Sequence, residues 1–166
     1  MKTRLLGWAK DLLIYGSLAV VLAIGVDWYR TKDISRDSAP PLAEHLDSGE
    51  YLDVIKQSYE QPVVVYFWAT WCGACRFVSP TIDWLSQHYP VVGVSGASGE
   101  NERVSRYLAH QDYQFNNIND PQSERFSEWG ISVTPTIAIV KDGQIASMTT
   151  GVTTPPGLLA RIWLNQ

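Results

Sequence analysis

Residues 62–77 read PVVVYFWATWCGACRF. From Pro62 to Trp68 the run is apolar without a break, as expected of a strand buried on both faces. Then the character changes. Cys72-Gly73-Ala74-Cys75 holds both cysteines of the chain. Residues 73–88 carry a helical pattern, with Phe77, Ile82 and Leu85 among the apolar positions and Pro80 expected to kink it. A Cys-x-x-Cys pair therefore falls where a strand hands over to a helix.

That setting has chemical consequences. In the first turn of a helix, unpaired backbone N–H groups and the positive end of the dipole favour an anion. A thiolate at Cys72 is stabilised there, and its pKa is expected below the free value of about 8.5. Cys75 lies nearly one helical turn on, so its sulfur can close a small ring onto Cys72. Gly73 and Ala74 are small and leave Cys72 open to a macromolecular partner. Three readings compete. As a structural staple the pair is poor, because so short a loop removes little entropy from the unfolded chain. As a metal site it lacks company: His45, His88 and His110 are scattered, and none has ligand spacing with the pair. Two thiolates can still hold Cu(I), a soft ion that accepts few ligands. The strand–CxxC–helix setting favours a redox dithiol.

Outward from this centre, element types alternate. Val91 to Ser95 is a second short apolar strand, Gly96 to Gly99 a loop, and Glu100 to His110 a helix with Val104, Tyr107 and Leu108 on one side. Phe115 to Ile118 suits a short strand. Asp120-Pro121 caps and starts a helix running to about Trp129. Thr136 to Val140 is β-rich, Asp142-Gly143 signals a hairpin, and Gln144 to Thr150 returns. Pro155 to Leu164 is a final amphipathic helix. Helices between strands imply an α/β fold, with a central sheet covered on both faces. Pro135 cannot donate a ladder hydrogen bond, so it belongs at a strand start or edge. There it leaves the backbone of Thr134 available to an extended peptide, the β-addition mode of recognition; a plain turn proline is the alternative.

The chain of 166 residues has room for one ordinary domain and a short appendage. With 45% hydrophobic and 18% charged residues it can bury a core. A net charge of −4 argues against nucleic acid as a partner. Charge is unevenly spread: residues 1–37 carry six Lys/Arg and four Asp/Glu, and the remainder is acidic. Leu12 to Val26 (LLIYGSLAVVLAIGV) holds no charge. Extended to Tyr29 it approaches the roughly 20 residues that cross a bilayer as a helix. Trp8 and Tyr15 on one side, and Trp28 and Tyr29 on the other, suit the two interfaces. Lys2, Arg4 and Lys10 place the N-terminus in the cytoplasm, although Arg30, Lys32 and Arg36 follow on the far side. A cleaved signal peptide is the rival, and its cleavage site fits poorly, since no A-x-A follows the run and the nearest small pair is Ala23 with Gly25. Arg30 to Pro41 (RTKDISRDSAPP) reads as a tether.

The segment Val63 to Cys75, together with Val133-Thr134-Pro135-Thr136 just before a hairpin, resembles the active site of thioredoxin-like proteins. The resemblance covers roughly residues 42–166. The wording Phe67-Trp68-Ala69-Thr70-Trp71-Cys72, and the helix and strand inserted between Ser95 and Pro121, resemble the membrane-tethered TlpA/ResA/DsbE branch. Arg76-Phe77-Val78-Ser79-Pro80-Thr81, Asn119-Asp120-Pro121 and Thr150-Gly151 are most similar to the suppressor-of-copper-sensitivity D (ScsD) group. The apolar run and the polar stretch after it give a membrane anchor over 1–29 and a linker over 30–41, and the resemblance implies a thioredoxin-like domain over 42–166, with a mixed central sheet flanked by helices. It implies a cis bond at Pro135, packed against the dithiol, and a surface position for Trp71 beside Cys72, suited to substrate contact. The implied activity is thiol–disulfide exchange on protein substrates through Cys72 and Cys75, in the reducing direction, with no organic cofactor and no metal. Gly73, Ala74, Thr134 and Pro135 would line the substrate. A membrane electron donor of the DsbD or ScsB kind would recharge the pair. The expected location is the bacterial inner membrane, crossed once, with the catalytic domain in the periplasm. A Cu(I)-binding module using the same sulfurs is the alternative, although Met1 and Met148 are the only methionines.

Two departures from the family pattern stand out. Thioredoxins proper have a buried Asp six residues before the first cysteine, where this chain has Tyr66. ResA-type reductases have a Glu three residues after the second cysteine, where it has Val78. For its proton acceptor Cys75 is left with a water, with Glu100 or with the substrate thiolate; Glu100 also reads as a helix-start residue. Arg76 suits a solvated helix face, and Trp68, Trp84, Trp129 and Trp163 suit packing.

Overall fold

The structure, a computed structural model, describes residues 14–18, 21, 22, 25, 38–45 and 51–166. The chain divides into two units, residues 1–33 and 34–166. In the first, residues 14–18, 21, 22 and 25 are helical. Among the described residues no helix is long and apolar enough to cross a membrane, and the expected anchor over 1–29 lies largely outside them.

The second unit opens with β1 (Ala43–His45) and β2 (Tyr51–Asp53), an antiparallel pair that leads into the short helix α1 (Val54–Ser58). Asp53 caps α1 by accepting from the Lys56 amide at 3.0 Å. There follow β3 (Val63–Trp68), α2 (Cys75–Ser86), β4 (Val91–Gly96), α3 (Asn101–Gln111) and β5 (Asn116–Asp120). After them come α4 (Glu124–Glu128), β6 (Thr136–Lys141), β7 (Gln144–Thr150) and α5 (Pro155–Trp163). Five strands form one mixed sheet in the order β5-β4-β3-β6-β7. β3, β4 and β5 run parallel, while β6 is antiparallel to both β3 and β7.

β3 sits at the centre, and all its side chains are buried. Its alternate residues feed two cores, which explains its unbroken apolar run. Val63, Val65 and Phe67 join Val92, Val94, Ala138, Val140, Phe126 and Trp129 on one face. Val64, Tyr66 and Trp68 join Ile82 and Leu85 of α2, Val104 of α3 and Leu158 and Ile162 of α5 on the other. The hairpin between β6 and β7 turns at Asp142 (φ 52°) and Gly143 (φ 73°), the paired positive φ values that an Asp-Gly turn supplies. Its tip is held by the Ser58 hydroxyl, which accepts from the Gly143 amide at 2.9 Å. The buried Ala39 binds here too, donating its amide to the Gly143 carbonyl at 2.9 Å.

Four local readings of the sequence are corrected. The elements β1, β2 and α1 had no assignment, since runs of three to five residues show no usable period. The helix opens at Cys75 rather than at 73, because residues 73 and 74 form a turn. Phe77 faces solvent at 77% exposure; the inward stripe is Cys75, Val78, Ser79, Ile82 and Leu85. Finally, α4 starts at Glu124 rather than at Asp120-Pro121, because pairing of Gly96 with Asp120 carries β5 to that residue. Asp120 still caps the helix from a distance. Its two carboxylate oxygens accept from the amides of Glu124 (2.9 Å) and Phe126 (3.1 Å).

Candidate active site

β3 delivers the chain to the site, and α2 carries it away. Between them the Cys72 amide donates to the Ala69 carbonyl at 3.1 Å, turning the backbone so that the two cysteines meet. Cys72 and Cys75 are joined in a disulfide, with their Cα atoms 5.3 Å apart. The Cys75 amide donates to the Cys72 sulfur at 3.1 Å. This is one of the orphan amides of a helix start, and it aims a positive dipole at the first sulfur. Cys72 keeps 6% of its surface exposed and Cys75 2%, so the first sulfur is the one nearer solvent. Above them Gly73 is exposed, with no atom within 4 Å of where a Cβ would stand. Ala74, the N-cap of α2, is half-buried, and Arg76 lies on the exposed face of the helix.

The loop after β4 cradles this turn. Ser98 accepts from the Thr70 amide at 3.0 Å and donates to the Gly96 carbonyl at 3.0 Å. Trp71 is 63% exposed, yet its indole N–H donates to the Ala97 carbonyl at 3.0 Å. Ala97 adopts a left-handed φ of 45°, which an alanine rarely does. The indole thus lies fixed beside the dithiol and forms one wall of a groove of about 270 Å³. Phe126, Ile131, Val133 and Thr134 contribute the opposite side, and no charged residue lines it. Gly96 is at the floor: a Cβ there would come within 2.6 Å of Phe126.

The Thr134–Pro135 peptide bond is cis. Phe67 pairs with Thr136, so Pro135 stands at the end of β3 from which the CxxC turn departs. Pro135 is buried, and its carbonyl accepts from the Gly151 amide at 2.8 Å. Among the described residues, no backbone partner engages Thr134. Trp71, Cys72, Cys75, Thr134 and Pro135, singled out in the sequence, therefore gather at one end of the sheet. Sequence reasoning missed Ala97, Ser98, Phe126 and Ile131. The small-residue run Ser95-Gly-Ala-Ser-Gly99 was the available signal that a loop approaches closely.

Behind the second cysteine lies a polar pair in the core. The Tyr66 hydroxyl is 3.0 Å from the Ser79 hydroxyl and 3.4 Å from the Cys75 carbonyl. Tyr66 has 0% and Ser79 2% of its surface exposed. Burial pushes the Tyr66 phenol far above the ordinary tyrosine range, with the Ser79 hydrogen bond opposing. Tyr66 is therefore a neutral hydroxyl at every ordinary pH. The half-buried Tyr113 is raised as well, by burial first and then by Tyr107 and Asp83, with the nearby Ser79 hydroxyl opposing the shift. Val78 is fully buried among apolar side chains. Glu100 is exposed at the N-cap of α3, and its side chain makes no capping bond. His88 packs on Trp84 (ring centroids 4.8 Å apart), and His110 is bonded to Gln111. Among the described residues no group of three or more His, Cys, Asp or Glu is placed to hold a metal.

The sequence model of the thioredoxin family matches residues 43–163. A thioredoxin-like protein of Haemophilus influenzae is 43% identical over 107 residues, which is 64% of this chain and 64% of that protein. The chain thus spans just under two thirds of this relative's length. A thioredoxin of Synechocystis is 36% identical over 92 residues, covering 55% of this chain and 68% of the relative. Among solved structures, a putative thiol:disulfide interchange protein DsbE from Chlorobium tepidum superposes with a TM-score of 0.67. Its identity is 22%, over 80% of this chain and 99% of that one. A secreted Mycobacterium tuberculosis disulfide oxidoreductase homologous to E. coli DsbE gives a TM-score of 0.61 at 16% identity, over 74% of this chain and 95% of that one.

Proposed function

The chain belongs to the thioredoxin family, and from that premise we propose that it is a thiol–disulfide oxidoreductase of the TlpA/ResA/DsbE branch, tethered to a membrane and reducing protein disulfides. The observation that carries the exchange chemistry is the Cys75 amide aimed at the Cys72 sulfur at the start of α2. A sulfur that accepts this bond is favoured as a thiolate, and the thiolate is the attacking species. Neighbours named for disulfide interchange share the fold.

In the reducing direction the Cys72 thiolate attacks a substrate disulfide. A Cys72–substrate bond forms, the substrate S–S bond breaks, and the released substrate sulfur takes up a proton. The Cys75 thiol then gives its proton to solvent, and its sulfur attacks Cys72. The Cys72–Cys75 bond forms and the substrate's second sulfur leaves as a thiolate. Two electrons have passed from the protein dithiol to the substrate. Trp71, Gly73, Ala74 and the free backbone of Thr134 would receive the extended substrate, with the cis Pro135 fixing the approach. No organic cofactor enters this cycle. A membrane dithiol donor of the DsbD or ScsB kind would return the electrons, and the catalytic domain would work in the bacterial periplasm.

Exchange of Cys75 for Ser removes the resolving sulfur. The Cys75→Ser chain is expected to accumulate mixed disulfides on Cys72 that reductant releases. Failure to trap any thiol protein in cells overturns the reading. Within this branch the wording around Arg76–Thr81 and Asn119–Pro121 favours the ScsD group. A Cu(I)-binding role would rest on the same two sulfurs. Stoichiometric Cu(I) uptake without turnover of any disulfide would replace the exchange reading with that one.

A further inference from the structure

An acid is missing behind Cys75, and two hydroxyls occupy the space. Their hydrogen bonds have a direction. The Cys75 carbonyl only accepts, so the Tyr66 hydroxyl donates to it. Having one hydrogen, Tyr66 must then accept from Ser79 at 3.0 Å. The chain Ser79 to Tyr66 to the Cys75 carbonyl uses each hydroxyl proton once, and each bond polarises the next.

The helix turn that carries this end point lacks one of its own bonds. Pro80 lies inside α2 and has no N–H, so the carbonyl of Arg76 lacks its intrahelical donor. The first turn of α2, which carries Cys75, is thus less secured by its own ladder than an ordinary helix start. Tyr66 reaches it from β3, the central strand of the sheet, across the core.

We propose that Tyr66, with Ser79 behind it, is a positioning pair that holds the first turn of α2 so that the Cys75 sulfur is aligned on Cys72 for the resolving step. The pair acts through the Cys75 backbone and exchanges no proton with the thiol. The phenol stays neutral, and the groups facing the pair from the neighbouring elements are Asp83 on α2, Tyr107 on α3 and Tyr113 beyond it. In the resolving step the Cys75 proton goes to solvent, as in the exchange cycle proposed above. The Cys75–Cys72 bond forms as the Cys72–substrate bond breaks, and the departing sulfur carries off the electron pair.

This inference rests on the oxidoreductase reading, and one experiment separates the two. The full chain, reduced, is mixed with an aromatic disulfide that releases one coloured thiolate on attack by Cys72 and a second on resolution by Cys75. In Tyr66→Phe the first phase is expected at the wild-type rate and the second about tenfold slower, the effect of losing one aligning hydrogen bond. Ser79→Ala should slow the second phase less. The double variant should be no slower than Tyr66→Phe, because the pair works as a unit. A purely structural role would lower thermal stability and leave the ratio of the phases unchanged; that result, or both phases slowing together, overturns the inference alone. A wild-type chain with no second phase overturns the inference and the oxidoreductase reading together.

Discussion

At the scale of single residues, Trp71 shows how an exposed aromatic can be held rigidly. Its ring faces solvent, and only the indole N–H is bound, to a carbonyl that a left-handed Ala97 turns toward it. Such a backbone conformation at alanine costs of order 1 kcal/mol, and it persists because the Ser98 bonds fix the loop on either side. Rigid aromatic surface loses little entropy when a partner covers it, so it is a strong contact group. Trp71→Ala is therefore expected to raise KM for a protein disulfide about tenfold, equivalent to 1–2 kcal/mol of lost contact. The rate with a small aromatic disulfide should stay at the wild-type value. Equal kinetics with both substrates would remove Trp71 from the substrate face. The CxxC pair, Trp71 and the Thr134-Pro135 step were legible in the sequence, because each has a side-chain or backbone property that no ordinary residue shares. Ala97 and Ser98 showed only as part of a small-residue loop, because a carbonyl and a small hydroxyl leave no further pattern in a chain read by polarity.

At the scale of elements, α4 is the informative case. Its five residues (Glu124–Glu128) are too few to nucleate a helix alone. It exists because β5 presents Asp120, nearly fully buried, under its first amides. The sequence identified Asp120 as the capping residue but not the spacing. The carboxylate belongs to the strand, and Pro121 lies in the turn between strand and helix. Register across the sheet decided this, and register is a property of two segments that neither shows alone. Phe126 on α4 packs edge-on against Phe67 (ring centroids 5.3 Å) and over Gly96, so the cap also supports the groove beside Trp71. Asp120→Ala leaves the Glu124 and Phe126 amides without their acceptor and should destabilise the fold by about 2–3 kcal/mol. Urea unfolding would show a lower midpoint at unchanged slope, with Asp120→Asn intermediate. A midpoint equal to wild type would show that α4 is held by packing alone.

At the scale of the whole molecule, the alternation of strands and helices from residue 62 onward could be read because β3 is buried on both faces and so carries an unbroken apolar signal. The short elements before it could not, since β1, β2 and α1 take their shape from the hairpin tip and core they pack against. The same logic bears on the proposed anchor. Leu12 to Val26 has no acid or base to break it, and its flanks carry aromatic rings on both sides. A covalent tether would keep the dithiol within reach of a membrane donor at high local concentration, with no affinity between the two required. If this arrangement holds, the full chain made in a Gram-negative host should stay with the membrane after alkaline carbonate washing. Protease added to spheroplasts should degrade residues beyond the tether, while intact cells protect them. The Cys75→Ser chain should then capture only partners that expose their thiols outside the cytoplasm. Protection of the C-terminal domain in spheroplasts, with digestion only after lysis, would place the dithiol in the wrong compartment for the proposed substrates and remove the need for a membrane donor. The exchange chemistry at Cys72 would survive that result, because it depends on the start of α2 and not on the side of the membrane where α2 stands.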